Sequence, residues 1–504
     1  MKASKPVVGI ILDGLGISNI EEGNPVKQAK MPFFQKLLKE FPNTQIYASE
    51  EYVGLPKGQM GNSEVGHLNL GAGRCLYQDL MRINKSIEDK SFYQNPALLN
   101  AFKRAKKHNS SVHFIGLVSA GGVHSSIQHL FELLKMAKQN EVNSVKIHCI
   151  TDGRDTPPDS GKDFINDLQN EINKLNLGEI VTVCGRFYAM DREERFTRTE
   201  KAFNLIAKGK GEKVKSYADV FEIEYKKETS DEYIPPYVIN EYNGLEKNDE
   251  IIFFNFRPDR MRQIATAFTD KVFLPFNRKL PKLYFTSMCE YDKKLGKIEV
   301  AFKPEHPTLT LSKYLSEQDF KQLKLAETTK YAHVTYYFNG GIEKPYKKES
   351  RILVESENVD SFADYPQMKA EEISKIAVSE ICKGVYDFVL INFSNCDMVG
   401  HTGNFKACVQ TLEVLDKALE SVVYSAQKMG YTCVIVADHG NVEDVREKSV
   451  YATSHTLNPV PFIISDKGVK LKKGKFGLDV FAPTVLDIMN LPKPKEMTAE
   501  SLIK

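Results

Sequence analysis

Val7-Val8-Gly9-Ile10-Ile11-Leu12-Asp13-Gly14-Leu15-Gly16 is the stretch on which the fold turns. Its first six residues are apolar and rich in β-branched side chains, which suits a buried strand. The run stops at a carboxylate, Asp13, on a glycine-marked turn. The same pattern returns at Phe388–Phe393, followed by Asn395-Cys396-Asp397-Met398-Val399-Gly400-His401, and at Cys433–Ala437, followed by Asp438-His439-Gly440-Asn441. Further strands are expected at 45–48, 112–118, 145–150, 180–184, 251–254 and 283–287. Helices are expected at 35–40, 80–90, 96–108, 127–139, 162–175, 316–323, 368–383, 409–429 and 481–489. Residues 209–248 are polar and poorly patterned, and residues 301–308, with Pro304 and Pro307, read as a linker. Strands alternating with helices imply an α/β chain with mostly parallel sheets. In such sheets the loops after the strands' C-terminal ends gather on one edge, where ligands bind.

At 504 residues the chain is too long for one ordinary domain, and two are expected. Its 42% hydrophobic and 27% charged residues describe a soluble globular protein. A formal net charge of +2 gives no electrostatic sign of nucleic acid or an anionic membrane as partner. The eight cysteines form no CxxC pair and are too sparse for a disulfide scaffold, which suits a reducing cytoplasm. The N-terminal apolar run is too short for a secretory signal, and no stretch reaches the roughly 18 apolar residues of a membrane span.

A second stretch carries a candidate nucleophile: Pro56-Lys57-Gly58-Gln59-Met60-Gly61-Asn62-Ser63-Glu64-Val65-Gly66-His67-Leu68-Asn69-Leu70. The glycines let the backbone approach a bound group, and Ser63 would sit near a helix N-terminus, where free N–H groups suit a phosphate. Taken alone, Asn62 or Ser63 merely capping a helix explains as much. A serine hydroxyl needs a base or a metal to become a good nucleophile.

The rest of the chain supplies such an activator. Asp13, Asp397 and Asp438 each follow an apolar strand; His401 and His439 share two of those turns, and His455 adds a third imidazole from a loop. A single Asp at a strand end is usually a cap, but three such turns point to divalent ions. Mixed Asp/His ligation favours Mn²⁺ or Zn²⁺. Two metals about 4 Å apart are a common arrangement for phosphoryl transfer. The middle of the chain carries His124, Arg154, Asp155, Arg186, Arg192, Arg257 and Arg260, each just after a strand. Five arginines in such places suggest bidentate capture of carboxylate and phosphate. Lys330 could add a point charge to a phosphate.

These motifs together resemble the cofactor-independent phosphoglycerate mutases of the alkaline phosphatase superfamily, and the resemblance runs through nearly the whole chain. It rests on Gly58-Gln59-Met60-Gly61-Asn62-Ser63-Glu64-Val65-Gly66-His67, Asp152-Gly153-Arg154-Asp155-Thr156-Pro157-Pro158, Asn255-Phe256-Arg257-Pro258-Asp259-Arg260, Asp397-Met398-Val399-Gly400-His401-Thr402-Gly403 and Ala437-Asp438-His439-Gly440-Asn441. It implies a discontinuous phosphatase-like domain, 1–76 with 308–504, and an inserted phosphotransferase domain, 77–307, both α/β. It implies one Mn²⁺ on Asp397, His401 and His455 and another on Asp13, Ser63, Asp438 and His439, with Zn²⁺ or Co²⁺ as substitutes. Ser63 would take the phosphate of 3-phosphoglycerate or 2-phosphoglycerate as a phosphoserine, without 2,3-bisphosphoglycerate. Arg154, Arg186, Arg192, Arg257 and Arg260, helped by His124 and Lys330, would clamp the substrate, and Asp155 would be the acid/base. A cytoplasmic monomeric isomerase of glycolysis and gluconeogenesis is the expectation, with neither nucleic acid nor membrane as partner. The departures are Ser126, Phe196, Ser394 and Ala499, none of them a proposed ligand.

Two other readings stay open on the residues: a metal-dependent phosphatase or phosphopentomutase of the same superfamily, and an inactive module that keeps the fold. The arginine-bearing insert opposes the first, because a plain phosphatase needs no glycerate clamp. Intact Ser63 and all six Asp/His positions oppose the second.

Overall fold

Val7–Leu12 lies in the middle of a seven-stranded sheet with every residue buried. It pairs in parallel with Phe388–Phe393 on one side and Thr432–Val436 on the other. Gln322–Glu327 and then Glu349–Val354 continue the parallel order beyond Phe388–Phe393. On the opposite side Val460–Ile464 runs antiparallel to Thr432–Val436, and Asn43–Ile46 closes the sheet, antiparallel to Val460–Ile464. Burial on both faces explains why the central strands are near-continuous apolar runs. The helices Ala370–Cys382 and Phe405–Lys428 pack on the same core; the longer one buries Leu412, Leu415, Leu419, Val422 and Val423, at helical spacing.

This computed structural model describes residues 5–446 and 453–504. The sheet just described belongs to one compact unit, made of the chain up to Gln78 together with Glu305–Lys504; Asp79–Pro304 forms a second. The second unit has its own eight-stranded sheet, in the order Glu299–Phe302, Tyr284–Cys289, Glu250–Phe253, Val112–Leu117, Val145–Thr151, Glu179–Gly185, Tyr237–Ile239, Glu212–Val214. All its neighbours pair in parallel except Glu179–Gly185 with Tyr237–Ile239. Both units are therefore α/β, as the alternation of elements implies. Among the described residues no helix is long and apolar enough to cross a membrane.

Three readings need correction. The helix expected at 316–323 is a helix at Leu311–Glu317 and a buried strand at Gln322–Glu327. Asp319 takes a positive φ of 67° and ends the helix. The strand's polar side chains are buried but paired: Gln322 donates to Ser312 O, Lys324 donates to Asn339 Oδ1, and Glu327 accepts from Ser394 and Ser356. The poorly patterned residues 209–248 hold two short strands and the helix Tyr217–Lys226, which a Ser216/Asp219 capping box starts. The expected linker begins inside a strand, since Glu299–Phe302 extends the second sheet by one edge position.

Candidate active site

Every carboxylate of the first unit's cluster reaches it from the end of a parallel strand. Asp13 follows Val7–Leu12 directly, Asp438 lies just past Thr432–Val436, and Asp397 sits in the first turn of the short helix that follows Phe388–Phe393. All three are buried. The turn after Asp13 needs a glycine: Gly14 has φ 81°, and a Cβ there would strike the backbone of Asp397. Gly14 N–H also donates to Asp438 Oδ1 at 3.3 Å.

Ser63 opens the helix Ser63–Ala72. Asn62 caps that helix by accepting from Val65 N–H at 2.9 Å, so Asn62 is the cap and the Ser63 hydroxyl is left for other work. Ser63 Oγ lies 2.9 Å from His439 Nε2 and 3.4 Å from Asp13 Oδ1, and it accepts from Lys330 Nζ at 2.5 Å. Lys330 Nζ also meets Asp13 Oδ1 at 2.7 Å and Asp397 Oδ2 at 2.5 Å. Beside them, Asp397 Oδ1 is 3.2 Å from His401 Nε2 and 3.2 Å from His455 Nε2; the two imidazole nitrogens are 3.2 Å apart. His439 stands between the two groups, its Nε2 3.6 Å from Asp438 Oδ2 and 3.8 Å from Asp397 Oδ1, with its ring stacked on that of His455. The structure thus gathers Asp13, Ser63, Lys330, Asp397, His401, Asp438, His439 and His455 into one cluster.

Burial pushes Asp13 up, as does the neighbouring Asp438 carboxylate. Burial also acts on Asp397, but Lys330, His439 and the hydrogen bonds of His401 and His455 outweigh it and hold that carboxyl well below the usual range. Asp438 is likewise held down against burial by His439, His67 and Lys330. Burial opposes the charge on Lys330, yet Asp13, Asp397 and Asp438 together keep it raised, so it stays an ammonium. Its hydrogen bond to Asp397 raises His401.

Three buried carboxylates face a single lysine, with imidazole nitrogens turned toward them. That donor set fits divalent cations: oxygens and imidazoles are hard-to-borderline ligands, and buried negative charge needs compensation. Ligand atoms of Asp397, His439 and His455 lie mutually close enough to share an ion, as do those of Asp13, His67 and Asp438. His67 has no assigned role in the sequence reading, although it sits in the serine stretch. Its Nδ1 is 2.8 Å from Ser63 O and 3.1 Å from Asp438 Oδ2, and Asn392 donates to its Nε2 at 3.0 Å and to Asp13 Oδ2 at 2.8 Å.

The second unit gathers the arginines. Arg186 is buried, and its Nη1 donates to Asp152 Oδ1 at 2.7 Å and Asp155 Oδ2 at 2.5 Å. Asp152 also accepts from the N–H groups of Arg154 and Asp155 and from Ser119 Oγ, so it shapes the whole turn; the sequence reading gives it no role. Asp259 accepts from Arg192 Nη1 at 2.8 Å and Arg257 Nε at 3.1 Å. Arg154 reaches Glu232 at 3.3 Å, and Arg260 donates to Met190 O at 3.2 Å. Arg260 is depressed by burial and then by Arg186, Arg192 and Arg154. His124, buried between Asp259 at 3.5 Å and Asp155 at 3.8 Å, is pushed down to about 4 by burial and by Arg186, so it is neutral at pH 7. The unit thus offers several guanidinium groups, four of them paired with its own carboxylates, an arrangement suited to a multiply charged anion.

The chain is similar to known proteins along its whole length. A family profile described as BPG-independent PGAM N-terminus matches residues 83–293. Among curated proteins, the 2,3-bisphosphoglycerate-independent phosphoglycerate mutase of Clostridium botulinum (strain ATCC 19397 / Type A) is 46% identical over 100% of both chains. That of Clostridium tetani is also 46% identical, over 99% of each. Among solved structures, phosphoglycerate mutase of Leishmania mexicana, crystallised at low cobalt concentration, aligns with a TM-score of 0.56 and 28% identity, over 100% of this chain and 99% of the other. With that identity sustained from end to end, the chain belongs to the 2,3-bisphosphoglycerate-independent phosphoglycerate mutase family.

Proposed function

We propose that the chain interconverts 3-phosphoglycerate and 2-phosphoglycerate, as an isomerase of glycolysis and gluconeogenesis, through a phosphoserine at Ser63. The observation that carries the mechanism is the setting of the Ser63 hydroxyl. It lies at a helix N-terminus, 2.5 Å from a lysine held as an ammonium and among three buried carboxylates. Asp397, His401 and His455 would hold one divalent ion and Asp13, Ser63, Asp438 and His439 another, Mn²⁺ or its substitutes Zn²⁺ and Co²⁺. Bound there, the ions would acidify the Ser63 hydroxyl and neutralise phosphoryl charge.

In the forward direction the Ser63 hydroxyl gives its proton to solvent and Oγ forms its bond to phosphorus as the bond from phosphorus to the substrate's ester oxygen breaks, and that oxygen takes a proton from Asp155. In the return half the other glycerate hydroxyl gives its proton to Asp155 and bonds to phosphorus as the Ser63 Oγ–phosphorus bond breaks, Oγ regaining a proton from solvent. Lys330 Nζ donates to the serine oxygen and offsets charge on the phosphoryl oxygens. In the second unit, Arg154, Arg186, Arg192, Arg257 and Arg260, with His124, would hold the glycerate carboxylate and phosphate. Asp155 would supply and recover the hydroxyl protons while glycerate reorients. Retention matters, because loss of glycerate from the phosphorylated enzyme leaves only hydrolysis. The first unit is accordingly assigned the phosphatase-like chemistry and the second the substrate clamp. We place the enzyme in the cytoplasm as a monomer, where its eight free cysteines remain thiols.

The test is conversion of 3-phosphoglycerate by metal-stripped protein, with Mn²⁺ restored and no 2,3-bisphosphoglycerate present. Metal-dependent 2-phosphoglycerate without free phosphate supports this reading. Free phosphate in its place makes the chain a phosphatase and removes the clamp, and no reaction with any divalent ion overturns the reading.

A further inference from the structure

Three of the loops that carry the metal-side ligands are the turn after Val7–Leu12 (Asp13), the turn after Thr432–Val436 (Asp438 and His439), and the loop before Val460–Ile464 (His455). One buried side chain, outside every ligand set named above, is hydrogen-bonded to all three. Glu443 is 1% exposed. Its Oε2 accepts from Gly16 N–H at 3.0 Å, in the first turn, and from Asn441 N–H at 2.9 Å, in the second. Its Oε1 accepts from the Thr456 hydroxyl and from Asn458 Nδ2 at 3.0 Å, in the third. Thr456 adjoins His455, and its N–H donates to Gly440 O at 3.0 Å, so the second and third loops are joined again beside the same carboxylate.

Four donors converge on this one carboxylate, and the surrounding backbone leaves it room. A Cβ at Gly16 or at Gly440 would collide with Glu443. No cation ion-pairs with it among the described residues. A buried carboxylate is tolerated when donors fill its lone pairs, and four do so here. None of those donors is itself a proposed ligand; each is one to three residues from one. Glu443 is thus the knot through which the spacing of two ligand sets is fixed.

We infer that Glu443 is a positioning residue that fixes the Asp13, Asp438–His439 and His455 loops in the arrangement able to take two ions. The inference rests on the two-metal reading above. Outer-sphere groups of this kind are worth roughly 10–100-fold in metal affinity. Glu443→Gln replaces one acceptor oxygen with an NH₂ group that faces a donor, while keeping the side chain's volume. Thr456→Val is the narrower change. It removes only the hydroxyl on the His455 side and leaves the Gly16 and Asn441 bonds in place.

The experiment titrates metal-free full-length protein with Co²⁺, following visible absorption and heat, for the wild type and both variants, alongside the thermal midpoint of each in chelator. We expect two Co²⁺ per wild-type chain. In Glu443→Gln both should bind roughly 10–100-fold more weakly with an altered visible spectrum. In Thr456→Val one ion should be weakened and the other unchanged, with the metal-free midpoint within a few degrees of wild type. Wild-type affinity and spectrum in both variants overturn the positioning role while leaving the two-metal reading intact. A metal-free midpoint that falls in Thr456→Val without any change in Co²⁺ binding makes the contact merely structural and also overturns it. A wild-type chain that takes up fewer than two ions removes the two-metal reading itself.

Discussion

Ser63 and Lys330 are the two residues in which structure and chemistry are hardest to separate. With Asn62 already serving as the helix cap, the Ser63 hydroxyl is not needed to hold the helix together. Ser63→Ala should therefore leave the fold intact while cutting turnover by roughly a thousandfold or more. A rapid acid quench with phosphate-labelled substrate should label the wild type and not the variant; an active variant removes the phosphoserine. Lys330 behaves differently. Among the described residues it is the only ammonium touching Asp13 and Asp397, and its loss strands buried negative charge. Removing one partner of such a set costs about 3–5 kcal/mol. Lys330→Met should lower the stability of the metal-free protein by about that much in urea unfolding, and Mn²⁺ should restore much of it by supplying the missing positive charge. A loss that metal does not reduce would mean that Lys330 packs rather than compensates.

Elements here are tied to one another by side chains from far along the chain. The helix Pro32–Glu40 has Met31 at its N-cap position, which offers no capping oxygen. Its first free N–H groups are met by Asp416 of the helix Phe405–Lys428: Phe33 N–H donates to Oδ2 at 3.0 Å and Phe34 N–H to Oδ1 at 2.7 Å. Asp416→Ala should cost about 1–2 kcal/mol, the value of a lost cap, and Asp416→Asn less, measured by urea unfolding. A change below a few tenths of a kcal/mol would mean that water replaces the carboxylate there. The same long-range ties mark the limit of what the sequence discloses. Val7–Leu12, Phe388–Phe393 and the turns after them are legible because a strand buried on both faces must be continuously apolar and a polar residue then marks its end. Gln322–Glu327 is not legible, because its burial depends on partners as distant as Ser394 and on Asn339, which no local pattern announces. The positions of Asp13, Asp397, Asp438, His401 and His439 follow from strand ends, whereas His455 comes from a loop. The contacts of His67, Asp152 and Glu443 do not, since each is defined by loops that meet only in the folded chain.

At the scale of the whole molecule, acid should loosen the second unit even in the absence of metal. His129, on the helix Ile127–Gln139, donates from Nε2 to Asn84 Oδ1 at 2.8 Å; its Nδ1 is buried without a partner among the described residues, and burial pushes the ring down to about 4. A depressed imidazole is neutral when folded, but takes up a proton when unfolded below its ordinary value of 6.5. Its contribution is complete above that pH and is lost as pH falls toward 4. At pH 5 the loss is about 2 kcal/mol from this ring alone. Denaturant unfolding in chelator between pH 7 and pH 5 should show that slope, and His129→Gln should flatten it; an equal slope in both would place the acid sensitivity elsewhere. The order of strands in the first sheet has a consequence for synthesis. Val7–Leu12 leaves the ribosome long before its partners Phe388–Phe393 and Thr432–Val436. At about 5–20 residues per second, the interval before the later partner emerges is roughly 20–80 s. The inserted unit completes its sheet well within that time, while a fully apolar strand waits unpaired beside the growing chain. A nascent chain stalled or truncated before residue 432 would therefore carry one finished half and one exposed adhesive segment.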